Sequence, residues 1–177
     1  MILCDFQIKA EIERGTLKIS PFDESLINPS SLDVRLGPGF SEVTPSYVNI
    51  DPTDPLTFKT VEVSRGSYVL KPGHMVLSTL AEHVTLPVDI SAKILGKSSL
   101  GRLGLNNSTV AGWVDCGWHG DLVIELFNHG KYPIVLTSGM KIGQLVFYKH
   151  VPAQVPYNKK PTSRYAGQQN TQGSKGV

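Results

Sequence analysis

The chain has 177 residues and a net charge of only +2 at pH 7, with two cysteines that form no metal or redox motif. The length suits one domain with a proper core, and the small charge argues against nucleic acid as the default partner. No apolar run approaches the roughly 20 residues that span a bilayer, and the first residues lack the long apolar region of a signal peptide. We therefore expect a cytoplasmic protein that binds neither nucleic acid nor a membrane.

A short helix is predicted at residues 5–14, where Ile8 and Ile12 are four residues apart. Asp5 is the candidate N-cap, and Gly15 is the candidate C-terminal stop. The region 44–56 carries three prolines and is expected to be a loop or an irregular edge.

A strand is predicted at residues 31–36, because apolar and polar residues alternate there. The expected inward set is Leu32, Val34 and Leu36, and the expected outward set is Asp33 and Arg35.

Short strands separated by Gly and Pro turns follow from residue 67 onward. Runs 68–70 and 75–80 flank the turn at Pro72, and runs 134–136 and 141–148 flank the turn at Ser138. The two segments, YVLKPGHMVL and PIVLTSGMKI, are predicted to be the same hairpin used twice. Few stretches after residue 15 keep a helical period, so the body is predicted to be an all-β sandwich or barrel.

A further strand is predicted at residues 121–128, and it carries a candidate catalytic group. One face consists of Leu122, Ile124 and Leu126, and the other consists of Val123, Glu125 and Phe127. Glu125 lies between two apolar neighbours, where an ionised carboxylate needs a partner or a raised pKa. Because Ser98, Ser99 and Arg102 precede it closely, the pattern indicates an acid/base site. The alternative is a strand-end glutamate that faces solvent, with both serines in an ordinary turn.

The tail from residue 156 has almost no aliphatic residues, which is typical of a disordered end. It nevertheless keeps Tyr157, Arg164, Tyr165, Gln168 and Lys175. Cations, an amide and aromatic rings would equally suit an arm that becomes ordered over an anionic ligand.

Several familiar catalytic motifs are absent from the sequence. Zinc nucleoside deaminases carry H-x-E and P-C-x-x-C, and neither occurs here. There is also no Walker loop, no G-x-G-x-x-G after a strand and no G-x-S-x-G elbow. The five histidines lack tight ligand spacing, so no protein-bound transition metal is expected.

Six segments in order resemble the dCTP deaminase family of the dUTPase-like superfamily. They are INPSSLDVRLG, LKPGHMVLSTLAEHVTLP, GKSSLGRLGL, AGWVDCGWHGDLVIELFN, PIVLTSGMKIGQLVF and RYAGQQ. Together they cover nearly the whole chain, with 43–62 the least similar part. The resemblance implies a distorted β-barrel or jelly roll of the β-clip type with a short N-terminal helix. It also implies a homotrimer with sites at subunit interfaces, a single domain at 1–155, and a C-terminal arm at 156–177 that closes over the active site.

The resemblance further implies deamination without zinc. Glu125 would handle the protons, Ser98 would orient water, and Arg102 would hold the pyrimidine carbonyl or stabilise charge there. Asp115 would lie near the deoxyribose and complete the catalytic set. The implied substrate-binding residues are Lys97, Ser98, Ser99, Leu100, Gly101, Arg102, Ala111, Asp115, Val123, Ile124, Glu125, Gln144, Tyr157, Arg164 and Gln168. Mg²⁺ would arrive bound to the triphosphate.

Some positions depart from the family pattern. Lys97 replaces the usual arginine, so a bidentate phosphate contact becomes a point charge. Ser108 and Val110 replace a histidine and a threonine of a segment that is associated with inhibition by dTTP. Feedback inhibition by dTTP is therefore left open.

The family divides by product, and two features resemble the dUMP-forming branch. These are Gln144 and the AGWVD run, which has no arginine after Gly112. For the second step, Asp115 is the candidate to orient water toward the α-phosphorus. The alternatives are a deaminase that releases dUTP, a dUTPase without deaminase activity, and a trimeric nucleotide-binding or interaction protein without catalysis.

Overall fold

The computed structural model describes residues 1–43, 60–107 and 111–175. The helices are α1 (Asp5–Glu13) and α2 (Ser98–Gly101), with 3₁₀ turns at Glu24–Leu26 and Tyr157–Lys159. The strands of these residues are β1 (Lys18–Ser20), β2 (Ile27–Asn28), β3 (Ser31–Arg35), β4 (Gly39–Val43), β5 (Thr60–Arg65), β6 (Ser67–Leu70), β7 (Met75–Thr85), β8 (Ile90–Gly96), β9 (Leu105–Asn107), β10 (Trp113–Val114), β11 (His119–Asn128), β12 (Ile134–Thr137) and β13 (Lys141–Lys149). None of the described helices is long and apolar enough to cross a membrane.

Two main sheets share one hydrophobic core. The first has the strand order β5-β4-β7-β11-β9, with β1 also paired to β7, and the second has the order β10-β8-β13-β3-β2. Phe40 and Leu126 of the first sheet are fully buried in the same core as Val34 and Phe147 of the second. The all-β prediction is therefore confirmed. A closed barrel is not observed in the described parts of the chain, because their strands pair into open sheets.

The two predicted hairpins are wrong in their pairing, although their strands exist. Strand β6 pairs with β12 in a separate two-stranded ribbon, in which Leu70 lies opposite Ile134. Strand β7 instead pairs with β11, and β13 pairs with β3 and β8. Each turn therefore carries the chain from the ribbon into a main sheet. Local alternation identifies such strands, but it contains no information on which distant strand becomes the partner.

The predicted N-terminal helix is confirmed, but its N-cap is Cys4 rather than Asp5. The Gln7 amide oxygen accepts hydrogen bonds from the Cys4 backbone amide (3.1 Å) and thiol (3.3 Å). Asp5 lies in the first turn, where a negative charge is favourable. Gly15 follows the helix with a φ of +70°, as expected for a C-terminal stop.

The prediction that Asp33 faces outward is wrong, because residues 31–34 of β3 are buried on both faces of the strand. Its carboxylate pairs with Lys97 at 2.6 Å and with Lys141 at 3.2 Å, and it accepts a hydrogen bond from Asn28 at 2.9 Å. Arg35 does not extend freely into solvent either, since its Nε lies 2.7 Å from a buried Glu82 oxygen. The proline-rich region 44–56 lies outside the described residues.

The tail lies against the beginning of β11. Asp121 donates its backbone N–H to the Gln168 carbonyl at 2.9 Å, and Gly167 donates to the His119 carbonyl at 3.0 Å. Gly120 has a φ of +138°, and a Cβ there would lie only 2.7 Å from the Gln168 carbonyl oxygen. This close approach of two backbones requires glycine.

We predict that Gly120→Ala releases the tail from β11. The methyl group would meet the tail backbone, so the segment 156–175 should become sensitive to protease, with a stability loss of more than about 1 kcal/mol. Gly15→Ala is the matched control, because it also has a positive φ but no atom lies within 4 Å of its Cβ position. Equal protection of the tail in both variants would contradict this account.

We also predict that Asp33 stabilises the fold only when it is ionised. Burial raises the pKa of Asp33, but hydrogen bonds from Lys97, Lys141 and Asn28 outweigh it and hold the pKa below 3.8. Because the pKa of Asp33 is lower in the folded state, its ionised carboxylate stabilises the folded protein at pH values above 3.8. This stabilisation is lost as the pH falls through the folded-state pKa.

Asp33→Asn should therefore lower the free energy of unfolding by about 2 kcal/mol at neutral pH. Urea denaturation at about pH 7 and about pH 3 should show this difference shrinking in acid, because the amide resembles a protonated carboxyl. Asp5→Asn, at an exposed position, is the control. A difference that stays constant with pH would show that the charge is unimportant.

Candidate functional site

A cavity of about 450 Å³ opens beside β11 and the tail. Its walls are mainly apolar, with Met75 and Leu77 from β7 and Val123 from β11. Polar groups enter it at a few places, chiefly Glu125 and Asp115. An apolar cavity with a few convergent polar groups is the usual form of a small-molecule site.

Glu125 occupies the position on β11 that the alternation predicts. Ile124 and Leu126 face the core at 1% and 0% exposure, while Val123, Glu125 and Phe127 are half-buried on the opposite face. In register, Glu125 lies opposite Leu77 of β7, so an apolar side chain adjoins it across the ladder as well. Burial raises the pKa of the Glu125 carboxyl, and a hydrogen bond from its own backbone offsets this in part. A raised pKa makes the carboxylate a stronger base than a solvated glutamate, so the group is suited to accept and return protons.

Asp115 lies just after β10 and lines the same cavity. The Trp113 indole N–H donates to its Oδ1 at 3.1 Å, which leaves the second carboxylate oxygen available to other donors. The Trp113 ring in turn packs against Tyr148, with centroids 5.4 Å apart. The structure thus brings a desolvated carboxyl and an exposed carboxylate to one cavity. The predicted residues that line it are Ala111, Asp115, Val123, Ile124, Glu125, Tyr157 and Gln168.

The loop that precedes β9 contributes to a different cavity, of about 440 Å³. Lys97, Ser98 and Gly101 line it together with His129. The α2 turn is held by the Lys97 carbonyl, which accepts from the Leu100 and Gly101 amides at 3.0 Å each. Ser99, Leu100 and Arg102 belong to this turn region but line neither cavity. Within one chain, the structure therefore does not bring Ser98 and Arg102 to Glu125.

Two other predicted residues make internal contacts. Gln144 accepts a hydrogen bond from the Ser31 hydroxyl at 2.8 Å, where β13 runs beside β3. Arg164 donates to the Lys175 carbonyl at 2.9 Å, and the Lys175 ammonium donates to the Arg164 carbonyl at 2.7 Å. Neither residue lines the two cavities. Ser108 and Val110 lie outside the described residues.

The tail contributes more to the first cavity than the sequence indicated. Tyr157 packs on Trp118, with ring centroids 5.6 Å apart, and the Tyr165 amide donates to the Tyr157 hydroxyl at 3.2 Å. Tyr165 and Trp118 both line the cavity, as do residues 172–174. Trp113 and Trp118 also line the cavity, although neither is among the site residues that the sequence predicts. Their closeness to Asp115 in the sequence could have suggested a place in the site. That closeness alone, however, does not distinguish a side chain that lines a cavity from one that packs in the core.

The described ranges contain no group of three or more His, Cys, Asp or Glu residues that could hold a metal ion.

A family model and curated relatives that match this chain both point to dCTP deaminases. A family model described as dCTP deaminase-like matches residues 2–150. A curated protein from Methanospirillum hungatei, named dCTP deaminase, dUMP-forming, is 44% identical over 170 residues, covering 95% of this chain and 92% of that protein. A protein of the same name from Mycobacterium sp. (strain KMS) is 46% identical over 175 residues, covering 95% and 92% respectively.

Solved structures extend the comparison to the fold. The 2′-deoxycytidine 5′-triphosphate deaminase of Agrobacterium tumefaciens superposes with a TM-score of 0.63 at 29% identity, over 82% of this chain. This chain spans about half of that one, 47%. A mutant dUTPase from phage phi11 of S. aureus shares the fold, with a TM-score of 0.50 at 15% identity over 85% of this chain and 98% of that one. By its sequence match over most of its length, the chain belongs to the dCTP deaminase-like family.

Proposed function

We propose that this protein converts dCTP to dUMP in two hydrolytic steps. In the first, water replaces the 4-amino group of cytosine, and in the second, water cleaves the bond between the α- and β-phosphates. One dCTP and two waters thus give dUMP, pyrophosphate and ammonia. Curated relatives that align with nearly the whole chain are named for this product. The observation that carries the proposal is the desolvated Glu125 carboxyl inside an apolar cavity.

Glu125 is proposed to move every proton of the deamination. As a carboxylate it takes a proton from the water that attacks C4, and it passes this proton to the ring nitrogen N3. It then takes the second proton of the former water and delivers it to the departing amino group, which leaves as ammonia. A raised pKa suits both roles, because the carboxylate then binds a proton more readily than a solvated glutamate and the acid can still release it to a more basic group.

Ser98 and Arg102 are proposed to reach this carboxyl from a neighbouring subunit of a homotrimer. The support is that Ser98 lines a different cavity from Glu125 in the single chain, and Arg102 lines neither. The Ser98 hydroxyl would orient the attacking water, and the Arg102 guanidinium would hold the pyrimidine carbonyl. Ala111, Val123 and Ile124 would shape the base pocket.

The substrate's phosphates are proposed to lie between the α2 turn and the tail. Lys97, Ser99, Tyr157, Arg164 and Gln168 supply groups that suit a triphosphate. Residues 156–177 would form the arm that closes over the site, and residues 1–155 would form the body. The nucleotide would enter with Mg²⁺ on its phosphate oxygens as part of the substrate, where the ion neutralises charge.

For the second step, Asp115 is proposed to orient water toward the α-phosphorus. Its support is the hydrogen bond from Trp113, which fixes one carboxylate oxygen and leaves the other free to accept from water. The same carboxylate lies in the Glu125 cavity, so one bound nucleotide could undergo both steps without leaving.

Glu125→Gln should reduce deamination by at least about 100-fold, because an amide cannot accept the proton of water. The variant should fold at least as stably as the wild type. Because the pKa of Glu125 is higher in the folded state, ionisation of this side chain opposes folding. The free energy that Glu125 contributes to stability therefore falls as the pH rises from 4.5 through the folded-state pKa. Ammonia release and urea denaturation measure the two effects, with the exposed Glu13→Gln as control. Near wild-type turnover would remove Glu125 from the mechanism.

A time course with dCTP and Mg²⁺ should show ammonia, pyrophosphate and dUMP rising together, with little dUTP in solution. Asp115→Asn should slow pyrophosphate release by at least about 100-fold, so that dUTP accumulates. Any effect on ammonia release would act through sugar positioning and should be smaller. Persistent dUTP in equal amount to ammonia with the wild type would instead identify a deaminase that stops at dUTP.

A further inference from the structure

The carboxylate of Asp33 holds two lysines from different parts of the fold. Lys97 precedes the α2 turn, Lys141 begins β13, and their ammonium groups contact different oxygens of Asp33, at 2.6 and 3.2 Å. Asn28 also donates to this carboxylate, whose side chain is only 5% exposed. Three contacts therefore hold the Asp33 carboxylate in place, and the carboxylate in turn positions both ammonium groups.

The charges of this cluster do not cancel. One buried carboxylate and two contacting ammonium groups leave one excess positive charge within the cluster, and the exposed Asp23 carboxylate interacts with Lys141 and Arg35 at longer range. The neighbouring Arg35 on the same strand differs, because it pairs with Glu82 in a balanced ion pair whose carboxylate is 1% exposed. A lone excess cation on a partly desolvated surface attracts an anion more strongly than a balanced pair does.

The excess charge is accessible from solvent. The Lys141 side chain is 51% exposed and that of Lys97 is 26% exposed, although both lie on a buried carboxylate. An ammonium group has three N–H donors, so each lysine can keep its contact with Asp33 and still donate to a second acceptor. Lys97 also lines the cavity of Ser98, and no acidic residue is among the described residues that line that cavity.

We propose that Lys141 is a further binding residue for the polyphosphate of a nucleotide, held beside Lys97 by the shared carboxylate of Asp33. Lys97 alone offers a point charge, whereas the Asp33 cluster offers two ammonium groups at defined positions. Phosphate oxygens a few ångströms apart could accept from both. The identity of the anion as a nucleoside triphosphate rests on the proposed function.

The test uses Lys141→Met, Lys141→Arg and the control Lys9→Met. Lys9, on helix α1, is a comparably exposed lysine that pairs with a single carboxylate, that of Glu24 in the 3₁₀ turn Glu24–Leu26. Binding of magnesium tripolyphosphate is measured by calorimetry, and KM and kcat for dCTP are measured in parallel. Unfolding midpoints confirm folding, and Lys141→Gln replaces the methionine variant if that one is unstable.

The Lys141→Met variant should bind tripolyphosphate about tenfold more weakly, as expected for one charge-assisted contact. KM for dCTP should rise by a similar factor while kcat stays within about twofold, because the contact is to a part of the substrate that is bound in both ground and transition states. Lys141→Arg should restore most of the affinity, and Lys9→Met should match the wild type.

Unchanged tripolyphosphate affinity in Lys141→Met, or a wild type that binds no tripolyphosphate, would overturn the inference. Failure of the proposed function would appear differently, as a wild type that releases no ammonia from dCTP. The tripolyphosphate comparison does not depend on turnover, so it decides the role of Lys141 in either case.

Discussion

Desolvation of one carboxyl on a central strand is the constraint on which the proposed chemistry depends. Glu125 has half-buried apolar neighbours on its own face of β11, faces Leu77 across the ladder, and has its pKa raised by burial. A carboxylate in such a place opposes folding, so the surrounding structure must offset its cost. The strand that carries it does so through its other face, where Leu122, Ile124 and Leu126 enter the core. A carboxyl with full access to water would destabilise the folded state less, but it would also be a weaker base.

Strand β11 also connects the site to the tail. Its inward residues anchor the core, its outward residues line the cavity, and its first residues bind the tail backbone next to Gly120. The tail places Tyr157 and Tyr165 on the cavity in return. Asp33 shows the opposite use of a buried carboxylate. There, two lysines and an asparagine outweigh burial and hold the pKa low, which keeps the group charged. One carboxyl is thus proposed to exchange protons, and the other holds two ammonium groups.

The sequence predicts local features of this fold well and long-range features poorly. The alternation at 121–128 predicts both faces of β11 and the setting of Glu125, because a strand's period is a local property. The same reasoning finds the strands around Pro72 and Ser138 but pairs them wrongly, since register between distant strands is set by the whole sheet. Asp33 appears exposed in the sequence because its cationic partners lie far along the chain. Likewise, the local sequence pattern cannot predict that Ser98 and Glu125 line different cavities of a single chain.

The central claim is that burial tunes Glu125 for proton transfer, and its pKa tests this most directly. Carboxyl-carbon NMR of the wild type, with the Glu125 signal assigned by its loss in Glu125→Gln, gives the value for the folded protein. The account predicts a pKa clearly above the usual 4.5, matching the acidic limb of the pH profile of kcat/KM for deamination. A Glu125 pKa at or below 4.5, or an acidic limb that does not follow it, would contradict the account.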